Sequence, residues 1–228
     1  MAKIRSDYGL DKPFFVQLGL YITNVVQLDF GYSFFFNTPV TSLIAERLPA
    51  TLLLVFTAQL LALVVGVILG VISAKKPNGL FSHFVTLLAL FGYSAPVFWT
   101  GIMLLIGLSL LMPLFPVAGM MDARLIEASI WKQWLDILHH LFLPAVTLAS
   151  IFLALYSRLC RASMLEVLGA DYIRTARAKG LTEREVVYKH ALKNSMGPVV
   201  TLAGLQFSAV VSGCLLYTSD AADEWRSG

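Results

Sequence analysis

From Leu48 to Ala74 the chain carries no charged residue. A helix of that length exceeds the roughly 20 residues needed to cross about 30 Å of hydrocarbon, and hydrocarbon admits only backbone whose polar groups are paired internally. Two further uncharged runs follow, Phe84 to Met112 and Leu141 to Ser157, the second extendable back through His139 and His140. A fourth begins near Pro198 and loses its apolar character after Leu216. Composition agrees: 57% of the 228 residues are hydrophobic, 14% are charged, and the mean hydropathy is +0.75, whereas about a quarter of a soluble domain is charged. The expected fold class is therefore all-α, a polytopic helical membrane protein, with spans at about 48–74, 84–112, 139–157 and 197–213, the last of them truncated. No secretory signal fits, because the first residues through Tyr8 and Asp11 are polar and no apolar core follows them.

Charge sets the orientation. Eight lysines and arginines fall between Arg158 and Lys193, and Lys75 and Lys76 follow the first span. The positive-inside rule makes both loops cytoplasmic, which leaves residues 1–47 and the stretch from Pro113 to Asp136 outside. An outer amino-terminal segment needs an earlier helix to translocate it, so a span before Met1 is expected. The outer segment is rich in aromatics, with Phe34, Phe35 and Phe36 in succession and Tyr21, Phe30 and Tyr32 nearby. Interfacial anchoring and the packed face of a small outer subdomain both account for them. Trp131 and Trp134, with Asp122, Glu127 and Asp136, read as an amphipathic helix at the membrane surface.

Inside the spans, Gly66 and Gly70 have the spacing that lets a second helix approach closely. Gly92 and Pro96 interrupt the second span, where Pro96 removes a backbone hydrogen bond. Such interruptions mark transporter pathways as well as plain kinks, so this pair is a candidate for lining a permeation path.

The cytoplasmic loop 158–196 spells two helices with a sharp boundary. Asp171 suits an amino-terminal cap for a helix starting at Tyr172. Gly180 suits the left-handed position past its end, with Lys179 in the last turn. Thr182 and Glu185 have capping-box spacing, and Leu181 and Val186 that of a hydrophobic staple. The first helix is about two turns long, far below the roughly 12 to 15 residues of marginal independent stability, so something must hold it. It combines small residues, Ala176 and Ala178, with the basic Arg174, Arg177 and Lys179. That combination fits docking against a partner's carboxylates. Attraction to anionic lipid explains the charges alone, but does not require such a capped helix.

The run Arg161-Ala-Ser-Met-Leu-Glu-Val-Leu-Gly-Ala-Asp-Tyr-Ile-Arg-Thr-Ala-Arg-Ala-Lys-Gly-Leu closely resembles the cytoplasmic signature of dipeptide, oligopeptide and nickel ABC permeases. Leu10-Asp-Lys-Pro, Asp29-Phe-Gly-Tyr-Ser, Arg47-Leu-Pro-Ala-Thr-Leu, Tyr93-Ser-Ala-Pro-Val-Phe-Trp and His140-Leu-Phe-Leu-Pro-Ala also match, in family order, so the resemblance covers nearly all of residues 9–213. It implies the ABC importer permease fold of six spans, here a fragment lacking the first span and the end of the bundle. It also implies a second permease subunit, two cytoplasmic ABC ATPase subunits and an extracytoplasmic substrate-binding protein, in a bacterial or archaeal cytoplasmic (inner) membrane. The short loop helix would be the coupling helix. The ATPase-coupling residues carried over are Asp171, Tyr172, Arg174, Thr175, Ala176, Arg177, Ala178, Lys179, Gly180 and Leu181. Arg174-Thr175-Ala176 stands where the broader importer motif has Glu-Ala-Ala, a departure normal for the peptide branch.

The expected function is thus a permease for peptides, or for nickel or another small solute, and not an enzyme. No Gly-rich phosphate loop is present, so ATP chemistry is expected on a separate subunit. No cofactor and no nucleic-acid partner are implied. A passive channel is the rival reading, but it has no use for a capped docking helix. A membrane metalloenzyme would rest on Asp136, His139 and His140, which lack a third or fourth ligand held in geometry. Paired histidines at a helix end read instead as interfacial or capping residues. Cys160 and Cys214 are too few and too far apart for a disulfide framework.

The last residues, Cys214-Leu-Leu-Tyr-Thr-Ser-Asp-Ala-Ala-Asp-Glu, resemble a translated transposase-type sequencing adapter, and 214–228 is expected to be such an artefact. The polypeptide as written, with its fifth span cut short, is then expected not to transport. Sequencing the source DNA should show adapter at this junction, and a genomic read running on through the same codons would remove the expectation.

Overall fold

The computed structural model describes residues 13–33, 36–125 and 127–223. The sequence features at Tyr8, Leu10 to Lys12, Phe34 and Phe35 lie outside the described residues, as do the side chains of Tyr93 and Cys214. The chain divides into two compact units, residues 1–51 with 211–228, and residues 52–210.

In the first unit Pro13 precedes helix α1, Phe14–Val26. Pro13 carries no N–H, and at a helix start none is needed. The helix buries none of its side chains, and Phe14 and Phe15 stand 70% and 83% exposed. The chain then turns through Leu28 and Gly31, both at positive φ. The Gly31 N–H donates to the Asp29 carboxylate at 3.0 Å, a local turn bond typical of Asp. Strand β1, Tyr32–Ser33, pairs antiparallel with β2, Thr38–Pro39. Tyr32 and Phe36 are exposed, and the Arg47 guanidinium lies over the Phe36 ring at 5.4 Å.

Helix α2, Val40–Lys75, begins in this unit and supplies the second from Leu52 onward. From there its two faces are opposites. Every fourth residue from Ala58, namely Ala62, Gly66, Gly70 and Ala74, is small and buried. Every fourth residue from Phe56, namely Leu60, Val64, Ile68 and Ile72, is large, apolar and exposed. Residues four apart share a helix face. A soluble helix would turn the large stripe inward. In lipid the tails are as apolar as leucine, so no hydrophobic force pulls large side chains in, and contact is made where backbones can approach.

Helix α3, Leu80–Ser94, and helix α4, Val97–Leu105, follow, with a π-helical segment, Ile106–Leu111, continuing α4. The break lies at Ala95 and Pro96, both with extended ψ, and the two limbs of the pair are bent by 104°. Pro96 disfavours a helical residue before it.

Helix α5, Ile130–Leu168, holds 39 residues and includes Trp131 and Trp134 in its first turns. The surface helix expected there is therefore the start of α5. Only Pro144 interrupts α5 internally, and one missing bond does not end the helix. At 1.5 Å per residue α5 is about 58 Å long, nearly twice the hydrocarbon thickness. Helix α6, Asp171–Ala178, and the single turn α7, Glu183–Glu185, come next. A π-helical segment, Val186–Ala191, joins α7 to helix α8, Leu192–Asp223, with Pro198 inside it.

The core of the second unit is the α2–α5 contact. A Cβ on Gly66 would stand 2.8 Å from the Tyr156 Cβ, and one on Gly70 would stand 2.7 Å from the Cys160 Cβ. The Tyr156 hydroxyl donates to the Gln59 side-chain carbonyl at 3.2 Å, and the Cys160 thiol donates to the Val67 carbonyl at 3.7 Å. Met164, Ile173, Val186 and Val187 carry the same cluster on toward α6.

Gly70→Ala should lower stability by about 1–3 kcal/mol, because the added methyl overlaps a backbone-anchored Cβ. Gly197 is the control, since a Cβ added there would meet nothing within 4 Å, and Gly197→Ala should be neutral or raise stability by up to about 1 kcal/mol. Thermal unfolding in detergent reads both.

Candidate functional site

Helix α6 is too short to stand alone, and the structure provides what holds it. Its amino end is set by Ala170, whose ψ of 150° is extended and whose carbonyl accepts from the Ile173 N–H at 3.1 Å. Asp171 is therefore the first helical residue and not the cap. It makes no capping bond, because the helix starts one position earlier than the sequence suggests. Its carboxylate still complements the dipole in the first turn, and it faces the Arg174 guanidinium at 3.4 Å.

At the carboxyl end, Gly180 takes φ +82°. Its N–H donates to the Arg177 carbonyl, and the Leu181 N–H donates to the Ala176 carbonyl. This is a Schellman closure, which satisfies carbonyls a helix end otherwise leaves orphaned. One residue later the expected capping box is formed. Glu185 N–H donates to Thr182 Oγ1, and Thr182 N–H donates to Glu185 Oε2 at 3.0 Å. The Thr182 hydroxyl bond holds the Glu185 carboxyl below its ordinary range.

Arg177 spans the turn. Its Nε and Nη2 donate to the two oxygens of Glu183 at 3.1 and 2.9 Å, a forked pair that fixes both position and angle. The same bond holds the Glu183 carboxyl low and the Arg177 guanidinium high. Arg177 is thus engaged within the chain, where the sequence had offered it to a partner.

The two faces of α6 differ. Ile173 and Ala176 point inward, 0% and 7% exposed, into the cluster with Met164, Val186 and Val187. Ala176 therefore gives close approach to the chain's own core. Leu181 packs partly buried on the same cluster. Tyr172, Arg174, Thr175, Ala178, Lys179 and Gly180 are exposed. The Tyr172 hydroxyl accepts from the Asn194 amide at 2.9 Å, which ties the outer face to α8.

Sequence reasoning missed Ile173 as the anchor and Glu183 as the clamp. Ile173 is a lone apolar residue in a basic stretch. Glu183 lies six residues from Arg177 across a glycine turn, a spacing no helical rule selects. Gly92 and Pro96 lie on other elements. A Cβ on Gly92 would stand 3.3 Å from the Ser150 carbonyl, so this glycine serves a close crossing of α3 and α5.

The histidine cluster has a structural occupation. His139 Nε2 donates to the Leu114 carbonyl at 2.7 Å, and His140 Nδ1 donates to the Asp136 carbonyl at 2.9 Å. The Asp136 carboxylate accepts from the Asp122 N–H at 2.7 Å, and Phe115 stacks on Phe142. Together they fold residues 114–122 onto the start of α5. Among the described residues no group of three or more His, Cys, Asp or Glu is gathered to hold a metal ion.

The family described as binding-protein-dependent transport system inner membrane component matches residues 66–218. The chain is 42% identical to the dipeptide transport system permease protein of Escherichia coli K12, over 94% of this chain and 68% of that protein. It is 41% identical to the oligopeptide transport system permease protein of Bacillus subtilis, over 92% of this chain and 65% of that one. It is 40% identical to the di/tripeptide transport system permease protein of Pseudomonas aeruginosa, over 91% and 66%. The chain spans about two thirds of the length of each of these relatives.

The depressed carboxyls of Glu183 and Glu185 fix the sign of a pH effect. Their contribution to the α6–α7 turn is present at neutral pH and is lost as pH falls below the ordinary value of 4.5 and through the lower folded values. Hydrogen exchange of the 180–186 amides, corrected for intrinsic rates, should lose protection over that window. In Glu183→Gln with Glu185→Gln the protection should be low already at neutral pH.

Proposed function

Because this chain belongs to the family of binding-protein-dependent transport system inner membrane components, we propose that it forms part of the translocation path of an ATP-driven importer for peptides. The family is one of transporter permeases and not of enzymes. Membership implies, in general terms, a substrate-binding protein and partner subunits in the inner membrane. The finer reading is a multi-pass subunit paired with a second permease and driven by two cytoplasmic ATPase subunits. The peptide cargo is supported by the relatives, whose names specify dipeptides, oligopeptides and di/tripeptides.

The observation that carries the coupling role is the two-sidedness of α6. Ile173 and Ala176 seat it in the chain, while Tyr172, Thr175 and Lys179 are offered outward. Such a helix can take a push on one face and deliver it through the other. Its neighbours in sequence are α5, through Gly169 and Ala170, and α8, through the Arg177–Glu183 clamp and the π-helical segment. Both are long, and α5 meets α2 along closely packed backbones. Displacement of α6 by a closing ATPase would then tilt α5 and α8 and, through α5, α2.

A transport-competent importer whose permease subunit carries residues 52–210 of this chain, reconstituted in proteoliposomes, tests this. Uptake of a labelled dipeptide should require ATP and the binding protein. Tyr172→Ala with Lys179→Glu should cut uptake by about tenfold or more, as expected when an aromatic and a charge are lost from a docking face, with the fold intact. A cysteine at Thr175 should crosslink to the ATPase and one at Ile173 should not. Crosslinking from Ile173 alone, or uptake independent of ATP, would overturn the reading.

A further inference from the structure

Beside α6 lies a cleft of about 760 Å³ that joins the loop after α2 to the α6–α7 turn. Its polar lining holds the cations of Lys75, Lys76, Arg177 and Arg184 against one carboxylate, Glu183. Two of those cations have local partners. Arg177 grips Glu183, which neutralises the one anion. Lys75 donates to the Tyr188 hydroxyl at 3.0 Å and lies 4.4 Å from the Tyr188 ring centroid. The Lys76 ammonium and the Arg184 guanidinium make no hydrogen bond or ion pair with any described residue, so the cleft presents uncompensated positive charge.

Its depth relative to the bilayer follows from the helix contact. Gly70 meets Cys160, so Arg158 and Arg161, the charges that close the uncharged run of α5, stand nearly level with Gly70 and mark the edge of the hydrocarbon. Lys75 lies five residues further, about 7.5 Å along the axis, and the polar headgroup layer is about 5–8 Å thick on each side. Lys75 and Lys76 therefore sit at the level of lipid phosphates. The start of α3, just past this loop, is apolar and uncovered among the described residues, with Leu80 90% and Phe84 61% exposed. Cations at phosphate level beside bare apolar side chains suit a ligand with an anionic head and hydrocarbon tails. A free phosphate would leave those apolar side chains uncovered.

We propose that this cleft binds the phosphate of an anionic phospholipid from the cytoplasmic leaflet, with Lys76 and Arg184 as its ligands and the acyl chains running along Leu80 and Phe84. Lipid bound there bridges the α2–α3 loop and the α6–α7 turn. The site is independent of which solute is carried.

Native mass spectrometry of the complex, in detergent with phosphatidylglycerol or phosphatidylcholine of matched chains, tests it without reference to transport. Retention of phosphatidylglycerol should fall about fivefold for Lys76→Gln and again for Arg184→Gln, the scale of one basic side chain at a lipid surface, while phosphatidylcholine is unchanged. Lys76→Arg should retain the lipid, and Arg158→Gln, a cation outside the cleft, should behave as the parent. Three outcomes would overturn the proposal. These are full phosphatidylglycerol retention in the double variant, displacement of the lipid by inorganic phosphate, and loss of ATPase co-purification in the double variant with lipid retention intact.

Discussion

The closeness of two backbones at Gly66 and Gly70 is the constraint on which the second unit rests. At 2.7 to 2.8 Å from a neighbouring Cβ there is no room for a methyl group. The registers of α2 and α5 are therefore fixed to within a fraction of a residue. That fixed register brings Gln59 to Tyr156 and lets the Cys160 thiol reach the Val67 carbonyl. It also sets Lys75 beside Tyr188, because the π-helical segment that carries Tyr188 is reached from the far end of α5 through α6 and the turn that follows. In a bilayer the large apolar side chains give helices no reason to associate. The small stripe supplies dispersion contact over its length, and Phe56, Leu60, Val64, Ile68 and Ile72 are left to face away.

Beyond the spans the physics changes, and the chain's composition changes with it. From Met164 onward the buried cluster collects Ile173, Val186 and Val187, each at most 1% exposed. At that level water is available, so burying each such side chain is worth about 1.5–3 kcal/mol, a term absent in the hydrocarbon. Arg161 marks the transition. Its guanidinium donates to the Pro77 carbonyl and the Thr86 hydroxyl, which fastens the loop after α2 to α5 with charge-assisted bonds.

What could be read from the sequence was what local chemistry determines. Gly180 and the Thr182–Glu185 box act within a few residues and need no knowledge of the fold, and both were legible. The glycine pair was legible too, but only two members of a five-residue stripe, since Ala58, Ala62 and Ala74 look like ordinary helix formers. Asp171 misled because a capping preference cannot tell N-cap from first residue without the backbone angle at Ala170. The helix at Trp131 was legible as a helix, but not as the start of a longer one, for a related reason. Amphipathic character ends at the membrane edge, while the backbone of α5 continues through it. Ala176 and Arg177 show what sequence cannot supply at all, the direction in which a side chain points.

The length of α6 gives the proposed coupling its physical sense. Eight residues cannot form a stable helix on their own, so α6 exists only while Ile173 is seated, its end is closed at Gly180 and Arg177 holds Glu183. Each of those conditions belongs to a different element: the α5 end of the core, the turn, and α7. A longer helix would keep its shape if one attachment failed, and a push on it would then be spent in slipping. A helix that melts when it loses its seat cannot slip, so any displacement it survives must be shared by α5 and α8. Marginal local stability is in this way what makes the connection rigid.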